Sequence, residues 1–170
     1  AQYFLGRIYY EDEVKKDLNK AIYYLVLSAK QNNSDALTTL GIIFSNGEEV
    51  KKDMNKAIEY FTLAANNNNA LAQFELGKIY YEGYEVKKDI KKAILYFNLA
   101  ASEYVEEANF NLGLIYHIEN ENVRDLQKAI HHYKIAAKYN NCIALNNLGV
   151  IYDINLKDKN LAIFYFEQAA

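Results

Sequence analysis

Three histidines, one cysteine and a recurring set of lysines are the side chains of this chain best suited to chemistry. Their spacing decides what that chemistry could be. His117, His131 and His132 could supply imidazole ligands to zinc or a general base. His131 and His132 are sequence neighbours, however, and neighbouring residues of a helix point about 100° apart, so the two do not converge easily on one ion. His132 also occupies a slot that is tyrosine at the equivalent positions Tyr24, Tyr60, Tyr96 and Tyr165, which reads as a substituted packing residue. Cys142 could act as a nucleophile only with a base held beside it. No histidine is placed there, so it reads as a small, semi-buried thiol. The seven glycines are scattered along the chain and do not gather into a phosphate-binding loop. Neither a catalytic set, nor a metal site, nor a cofactor site is expected.

The elements that would position such residues follow from composition. The chain has 170 residues, 51% hydrophobic and 24% charged, enough to bury a continuous core. It contains no proline, which removes much of the punctuation of strands, hairpins and linkers and leaves helices as the default. The formal net charge of -3 gives no basic field for collecting phosphates, so nucleic acid is a minority reading. No apolar run is long enough to span a bilayer. With a single cysteine the fold cannot depend on an internal disulfide. That fits the cytosol and leaves a secretory or periplasmic compartment open. The chain begins at Ala1 inside an expected helix, without an initiator methionine, and ends at Ala170 with a helix still running. The expectation is a segment of a longer protein, whose targeting signals would lie elsewhere. Asn32-Asn33-Ser34 matches the glycosylation pattern, but as a chance match in an asparagine-rich chain.

The glycines disclose an internal repeat. Gly6, Gly41, Gly77, Gly113 and Gly149 recur at a period close to 36, each preceded by leucine (Leu5, Leu40, Leu76, Leu112 and Leu148). An alanine stands five residues before each glycine (Ala1, Ala36, Ala72, Ala108 and Ala144), and an aromatic three after it (Tyr9, Phe44, Tyr80, Tyr116 and Tyr152). A second half runs in register from Asp17, Asp53, Asp89, Asp125 and Asp158, each with alanine four residues on, to closing small pairs such as Ala64-Ala65 and Ala100-Ala101. The copies are 1-35, 36-71, 72-107, 108-143 and an incomplete 144-170, forming one repeat domain.

Each half has helical periodicity. Counting from the alanine, positions 1, 2, 5, 8 and 9 fall within about a third of the helix circumference. They hold the alanine, the leucine, an isoleucine (Ile8, Ile43, Ile79, Ile115 and Ile151) and the aromatic, which makes them the core face. Glycine lies at its edge and costs a helix roughly 1 kcal/mol against alanine. Its recurrence therefore predicts close approach by a neighbouring helix. The aspartate is a good N-cap for the second helix. Met54, Ala57, Ile58, Phe61, Ala64 and Ala65 then form that helix's apolar stripe.

The order alanine, Leu-Gly, tyrosine, a short loop with glycine and valine, aspartate, Lys-Ala, tyrosine and Ala-Ala resembles the Sel-1-like repeat, a branch of the tetratricopeptide-like helical repeats. Residues 72 to 101 carry nearly all of it: Ala72, Leu76, Gly77, Tyr80, Gly83, Val86, Asp89, Lys92, Ala93, Tyr96, Ala100 and Ala101. The resemblance covers the entire chain. The family's second loop glycine is missing throughout, its first survives only as Gly47 and Gly83, and the last copy has a shortened loop with Leu161 in place of lysine. These departures affect loop shape. What the resemblance implies is an all-α solenoid, a right-handed superhelix of antiparallel helix pairs, acting as an adaptor between proteins.

Two surfaces are candidates for a partner. One is the basic series Lys15-Lys16, Lys51-Lys52, Lys87-Lys88, Arg124 and Lys157, followed a turn later by Lys20, Lys56, Lys92 and Lys128. Acidic residues are interleaved and stacking aromatics are not placed among them, so this reads as a solvated edge. The other is the face of the first helix opposite its core, positions 3, 7 and 10. It carries Tyr3, Arg7 and Tyr10, then Thr38, Ile42 and Ser45, then Phe74, Lys78 and Tyr81, then Phe110, Leu114 and His117, then Asn146, Val150 and Asp153. This stripe mixes aromatic, aliphatic and charged residues and varies between copies while the core does not. In related repeats the first helices line the concave groove, so the expected partner-binding residues are Tyr3, Arg7, Tyr10, Ile42, Phe74, Lys78, Tyr81, Phe110, Leu114, His117, Val150 and Asp153. Packing against a neighbouring repeat is the competing use of the same stripe. The expected function is a non-catalytic protein-interaction scaffold or adaptor. The alternative is a regulatory or targeting segment of a larger enzyme or signalling protein whose catalytic domain lies elsewhere.

Overall fold

The computed structural model describes residues 1-12, 16-47, 50-118 and 123-170. Among these, all regular structure is helical. The chain forms two compact units, Ala1-Lys88 and Asp89-Ala170. The first holds α1 (Gln2–Glu11), α2 (Leu18–Ala29), α3 (Ser34–Asn46), α4 (Met54–Asn66) and α5 (Ala70–Glu82). The second holds α6 (Ile90–Ala100), α7 (Val105–Ile118), α8 (Leu126–Ala137), α9 (Cys142–Val150) and α10 (Lys159–Ala169).

Pairing follows the repeat. In the first unit α1 packs on α2 and α3 on α4 within copies, and α2 packs on α3 and α4 on α5 between them. In the second unit α7 pairs with α8 and α9 with α10, while α6 meets α7 and α8 meets α9. The driving force is burial of the template's apolar positions, with Leu40, Leu76, Leu112 and Leu148 fully removed from solvent. Phe61, Phe97 and Tyr133, at one register position of the second helices, are buried as well. The first copy departs from the expected core face. Leu5 and Ile8, on α1, are exposed.

Helix starts are set by side-chain caps. Asp17, Asp53, Asp89, Asp125 and Asp158 each accept from a first-turn amide, those of Lys20, Lys56, Lys92, Lys128 and Leu161. The amides of Asp17, Asp53, Asp125 and Asp158 in turn donate to the carbonyls of Tyr9, Phe44, Tyr116 and Tyr152, at 2.8 to 2.9 Å. These four inter-helix loops are thereby tied to the aromatic position of their own repeats. Gly47 and Gly83 end α3 and α5 with φ of 70° and 68°. A Cβ there would stand 2.5 and 2.6 Å from the Cβ of Lys52 and Lys88, so both conformation and space require glycine.

The last copy reaches its cap with fewer residues, Gly149 to Asp158 replacing spans such as Gly41 to Asp53. After α9 the backbone widens into a π-helical turn, Ile151–Asn155, and Lys157 takes φ of 58°. The Asp158 amide still reaches the Tyr152 carbonyl at 2.9 Å, so the shortened connection keeps the contact that defines the other loops.

Candidate partner-binding face

The stripe at positions 3, 7 and 10 is half-buried along nearly its whole length. In the first unit Tyr3 and Tyr10 lean against the core formed by Leu25, Ala36, Leu40 and Ile43. The Arg7 guanidinium lies 5.9 Å from the Tyr3 ring centroid and donates to Glu11, with Nη2 to Oε2 at 2.8 Å. Its pKa is raised, first by the bond to Glu11. On α3, Thr38 is fully buried and its hydroxyl donates to the Ser34 carbonyl. Ile42 is half-buried, and the Ser45 hydroxyl donates to the Ile42 carbonyl. On α5, Phe74 lies under Lys78, whose ammonium is 5.6 Å from the ring centroid and bonds Glu75 at 3.0 Å. Tyr81 lies under Lys88 at 5.1 Å. Aromatic rings and covering cations thus alternate along this face.

In the second unit Phe110 and Leu114 are half-buried against the core of Ala129, Ile130, Tyr133, Leu148 and Ile151. Tyr133 is flanked by two stripe residues, with the Phe110 ring at 6.2 Å and the His117 ring edge-on at 6.0 Å. His117 Nδ1 is 3.5 Å from the Tyr133 hydroxyl. Burial, and then Arg124, lower the His117 pKa, so near neutral pH it presents an uncharged imidazole. On the last copy Val150 is half-buried, Asp153 pairs with Lys159 at 3.4 Å, and Asn146 is exposed.

The lysines of the other candidate surface belong to a structural motif. The ammonium groups of Lys20, Lys56 and Lys128 lie 5.3, 5.0 and 5.1 Å over the rings of Tyr9, Phe44 and Tyr116. Each also pairs with its capping aspartate, Asp17, Asp53 or Asp125. Below the lysine, the aromatic stacks on a second ring from the second helix: Tyr9 on Tyr24, Phe44 on Tyr60, Tyr116 on His132 and Tyr152 on Tyr165, with interplanar angles of 6° to 16°. In the last copy Leu161 cannot supply the cation. Lys134, from the preceding second helix, lies 5.8 Å from the Tyr152 ring instead, and its pKa is raised chiefly by the bond to Tyr152. Of the outer ridge, Lys52 pairs with Glu85; Lys16, Lys51, Lys87, Arg124 and Lys157 are exposed. Lys15 lies outside the described residues.

The histidines have packing partners. His132 Nδ1 is 2.8 Å from Asn109 Oδ1 and its ring is stacked on Tyr116. Burial, His131 and Lys128 push its pKa down to about 4. Among the described residues no group of three His, Cys, Asp or Glu side chains is placed to hold a metal ion. Cys142 is exposed, not semi-buried as its sequence context suggested. It is the first residue of α9, with its side chain on the solvent side of the helix start.

Sequence reasoning passed over one set of residues. Asn33, Asn69 and Asn141 cap α3, α5 and α9 by accepting from the amides of Ala36, Ala72 and Ala144. The amide of Asn69 also donates to Asp35 at 3.1 Å, and that of Asn141 to Glu106 at 2.9 Å. Asn69 and Asn141 thus join their own helix starts to the helix start one repeat earlier. The preceding residues, Asn32, Asn68 and Asn140, have φ near +60°, a conformation that asparagine tolerates better than most residues. The Asn-Asn pair at three of the four repeat boundaries was the available signal.

Consecutive helix pairs, repeated in sequence and in packing, define a helical-repeat protein of the solenoid class. The chain belongs to the Sel1 repeat family, whose sequence pattern matches residues 1–33, 34–69, 70–104, 106–140 and 143–170. A solved Sel1 repeat protein from Oxalobacter formigenes is 32% identical, with a TM-score of 0.78 over 99% of this chain and 71% of that one. A protective antigen of uropathogenic Escherichia coli strains, described as displaying an SLR fold, shares the fold at 23% identity and a TM-score of 0.61, covering 99% of this chain and 44% of that one. Helicobacter pylori cysteine rich protein B is 25% identical, with a TM-score of 0.54 over 63% of this chain and 86% of that one. Among curated proteins none matches the chain significantly. Sel1-repeat proteins are in general protein-interaction scaffolds, and no described helix is long and apolar enough to cross a membrane.

Proposed function

We propose that this chain is a non-catalytic adaptor that holds an extended peptide or small domain of another protein against its first-helix stripe. The observation that carries the reading is the contrast between two sets of positions. The core and the lysine-aromatic stacks repeat from copy to copy, whereas positions 3, 7 and 10 change from Tyr3, Arg7 and Tyr10 to Phe74, Lys78 and Tyr81 and then to Phe110, Leu114 and His117. Packing alone would favour repetition there. A partner with its own sequence favours variety, with half-buried aromatics as anchors and charged neighbours fixing orientation.

Affinity capture with the folded chain and single-site variants tests the proposal. Truncating a buried aromatic anchor typically costs about 2 kcal/mol or more, roughly thirtyfold in affinity. Tyr81→Ala and Phe74→Ala are therefore expected to release a partner that the native chain retains, with helicity unchanged by circular dichroism. Lys51→Ala, on the outer edge, is expected to retain it. Release by the lysine variant with retention by both aromatic variants would place binding away from the stripe.

A further inference from the structure

We infer that the small cavity between the start of α4 and the loop after α5 is a pocket for one arginine side chain of a partner peptide. Its volume is about 90 Å³, well under the roughly 300 Å³ at which pockets begin to hold whole small molecules. One extended side chain is what fits. The half-buried side chains of Met54, Ile79 and Val86 line it with apolar surface, which suits the methylene stem of a long side chain. Glu82, Tyr84 and the Lys52-Glu85 ion pair complete the lining.

The polar part of the lining selects the head group. Two carboxylates stand there against one ammonium, so a cation is favoured over an anion. Lys52 is taken up by Glu85. Lys78, one turn before Glu82 on α5, bonds Glu75 at 3.0 Å, and Lys88 lies over Tyr81. At the equivalent place in the first copy Arg7 does reach Glu11, with Nη2 to Oε2 at 2.8 Å. Glu82 is therefore an exposed carboxylate with no ion-pair partner among the described residues. Tyr84, on the same cavity, is 89% exposed, at a loop position that is Asp12 and Glu48 in the two copies before it. Packing gives no reason for a ring so open to solvent. A guanidinium can lie flat on an aromatic ring while it presents paired N–H donors to a carboxylate, which an ammonium cannot do. Apolar floor, open ring and open carboxylate together match arginine better than lysine or an aliphatic residue. None of the lining residues holds position 3, 7 or 10, so the pocket stands apart from the stripe.

Met54 is the one methionine of the sequence, so a ¹³C-methyl-methionine spectrum reports on the cavity through a single assignable resonance. Titration with N-acetyl-arginine methylamide should move that resonance in a saturable way, and the norleucine counterpart, which has a stem and no charge, should move it less. The probe needs no partner protein, so the result is separate from any capture through the stripe. Glu82→Gln and Tyr84→Ala should each weaken binding about two- to fivefold. Both side chains are exposed, so circular dichroism should be unchanged. No saturable shift with the arginine probe overturns the proposal, as does norleucine binding as tightly as arginine, or an affinity that neither substitution alters.

Discussion

Glycine is the poorest ordinary helix former, so Gly41→Ala, inside α3, should gain about 1 kcal/mol on propensity alone. The structure predicts the opposite sign. A Cβ built on Gly41 would stand 2.6 Å from Cδ1 and from Cε1 of Phe61, and 2.9 Å from Cζ. Carbon atoms rest at about 3.5 to 4.0 Å, so about 1 Å of separation must be found. The Phe61 ring is only 1% exposed and cannot swing into solvent. Relief must come from parting α3 and α4, and overpacking of this kind costs about 1 to 3 kcal/mol. Set against the propensity gain, the expected net loss is about 1 kcal/mol. Urea unfolding followed by circular dichroism would show it as a lower midpoint at unchanged slope. Phe61→Val removes the ring atoms that the new methyl would meet. In that background Gly41→Ala should become stabilising by about 1 kcal/mol, giving a coupling of about 1 to 3 kcal/mol in the double-mutant cycle. A raised midpoint for Gly41→Ala in the native background would refute close approach as the reason for the glycine.

Three further outcomes follow from the same geometry. His132 takes up its proton near pH 6.5 when unfolded and near pH 4 when folded, so its contribution is complete above pH 6.5 and is lost as pH falls from 6.5 towards 4. That gap corresponds to about 3 kcal/mol at full linkage, or about 1 to 2 kcal/mol after allowing for partial exposure. His132→Tyr should flatten this loss in thermal melts compared at about pH 7 and about pH 4.5. Asn69→Ala removes both the α5 cap and the bond to Asp35 and should cost about 1 to 2 kcal/mol in urea unfolding, while Asn69→Ser should keep the cap and lose less. Lys134→Gln should cost about 0.5 to 1 kcal/mol through loss of the cation over Tyr152, and Leu161→Lys in the same chain should restore it.

The repeat was legible because it rests on local rules. The aspartate caps, the Leu-Gly step and the aromatic each have a reason within one repeat, and repetition made the reasons visible. Features that join one repeat to the next were harder to read. The tie made by Asn69 cannot be read from its own repeat, since nothing there shows that Asp35 stands opposite its amide. The contact of Lys134 is equally hidden within its own repeat, since its ring, Tyr152, lies on the following one. Leu5 and Ile8 share the register of Leu40 and Ile43, but burial is a property of neighbours and not of register, and both are exposed. Cys142 was misjudged for a related reason. Position in a connection suggests partial burial, whereas the first turn of α9 turns this side chain outward.

The candidate face was legible as a pattern and ambiguous as a use, and the structure explains the ambiguity. A side chain at position 3, 7 or 10 has one edge on the core and one edge toward solvent, so a single aromatic can serve packing and recognition together. The two uses separate by residue. Phe110 touches Tyr133, a fully buried member of the core, and packs against the cluster around it. Removing that ring would lower stability whether or not a partner binds, so loss of capture by Phe110→Ala alone would not identify a binding residue. Tyr81 sits near the end of α5, before Gly83, with Lys88 over its ring, and is only half-buried. Tyr81→Ala and Tyr81→Phe should change stability little, and any loss of capture then reports the ring or the hydroxyl as a contact. If Tyr81→Ala keeps full capture while Phe110→Ala loses both capture and stability, the stripe is a packing seam, and the partner must be sought on another surface.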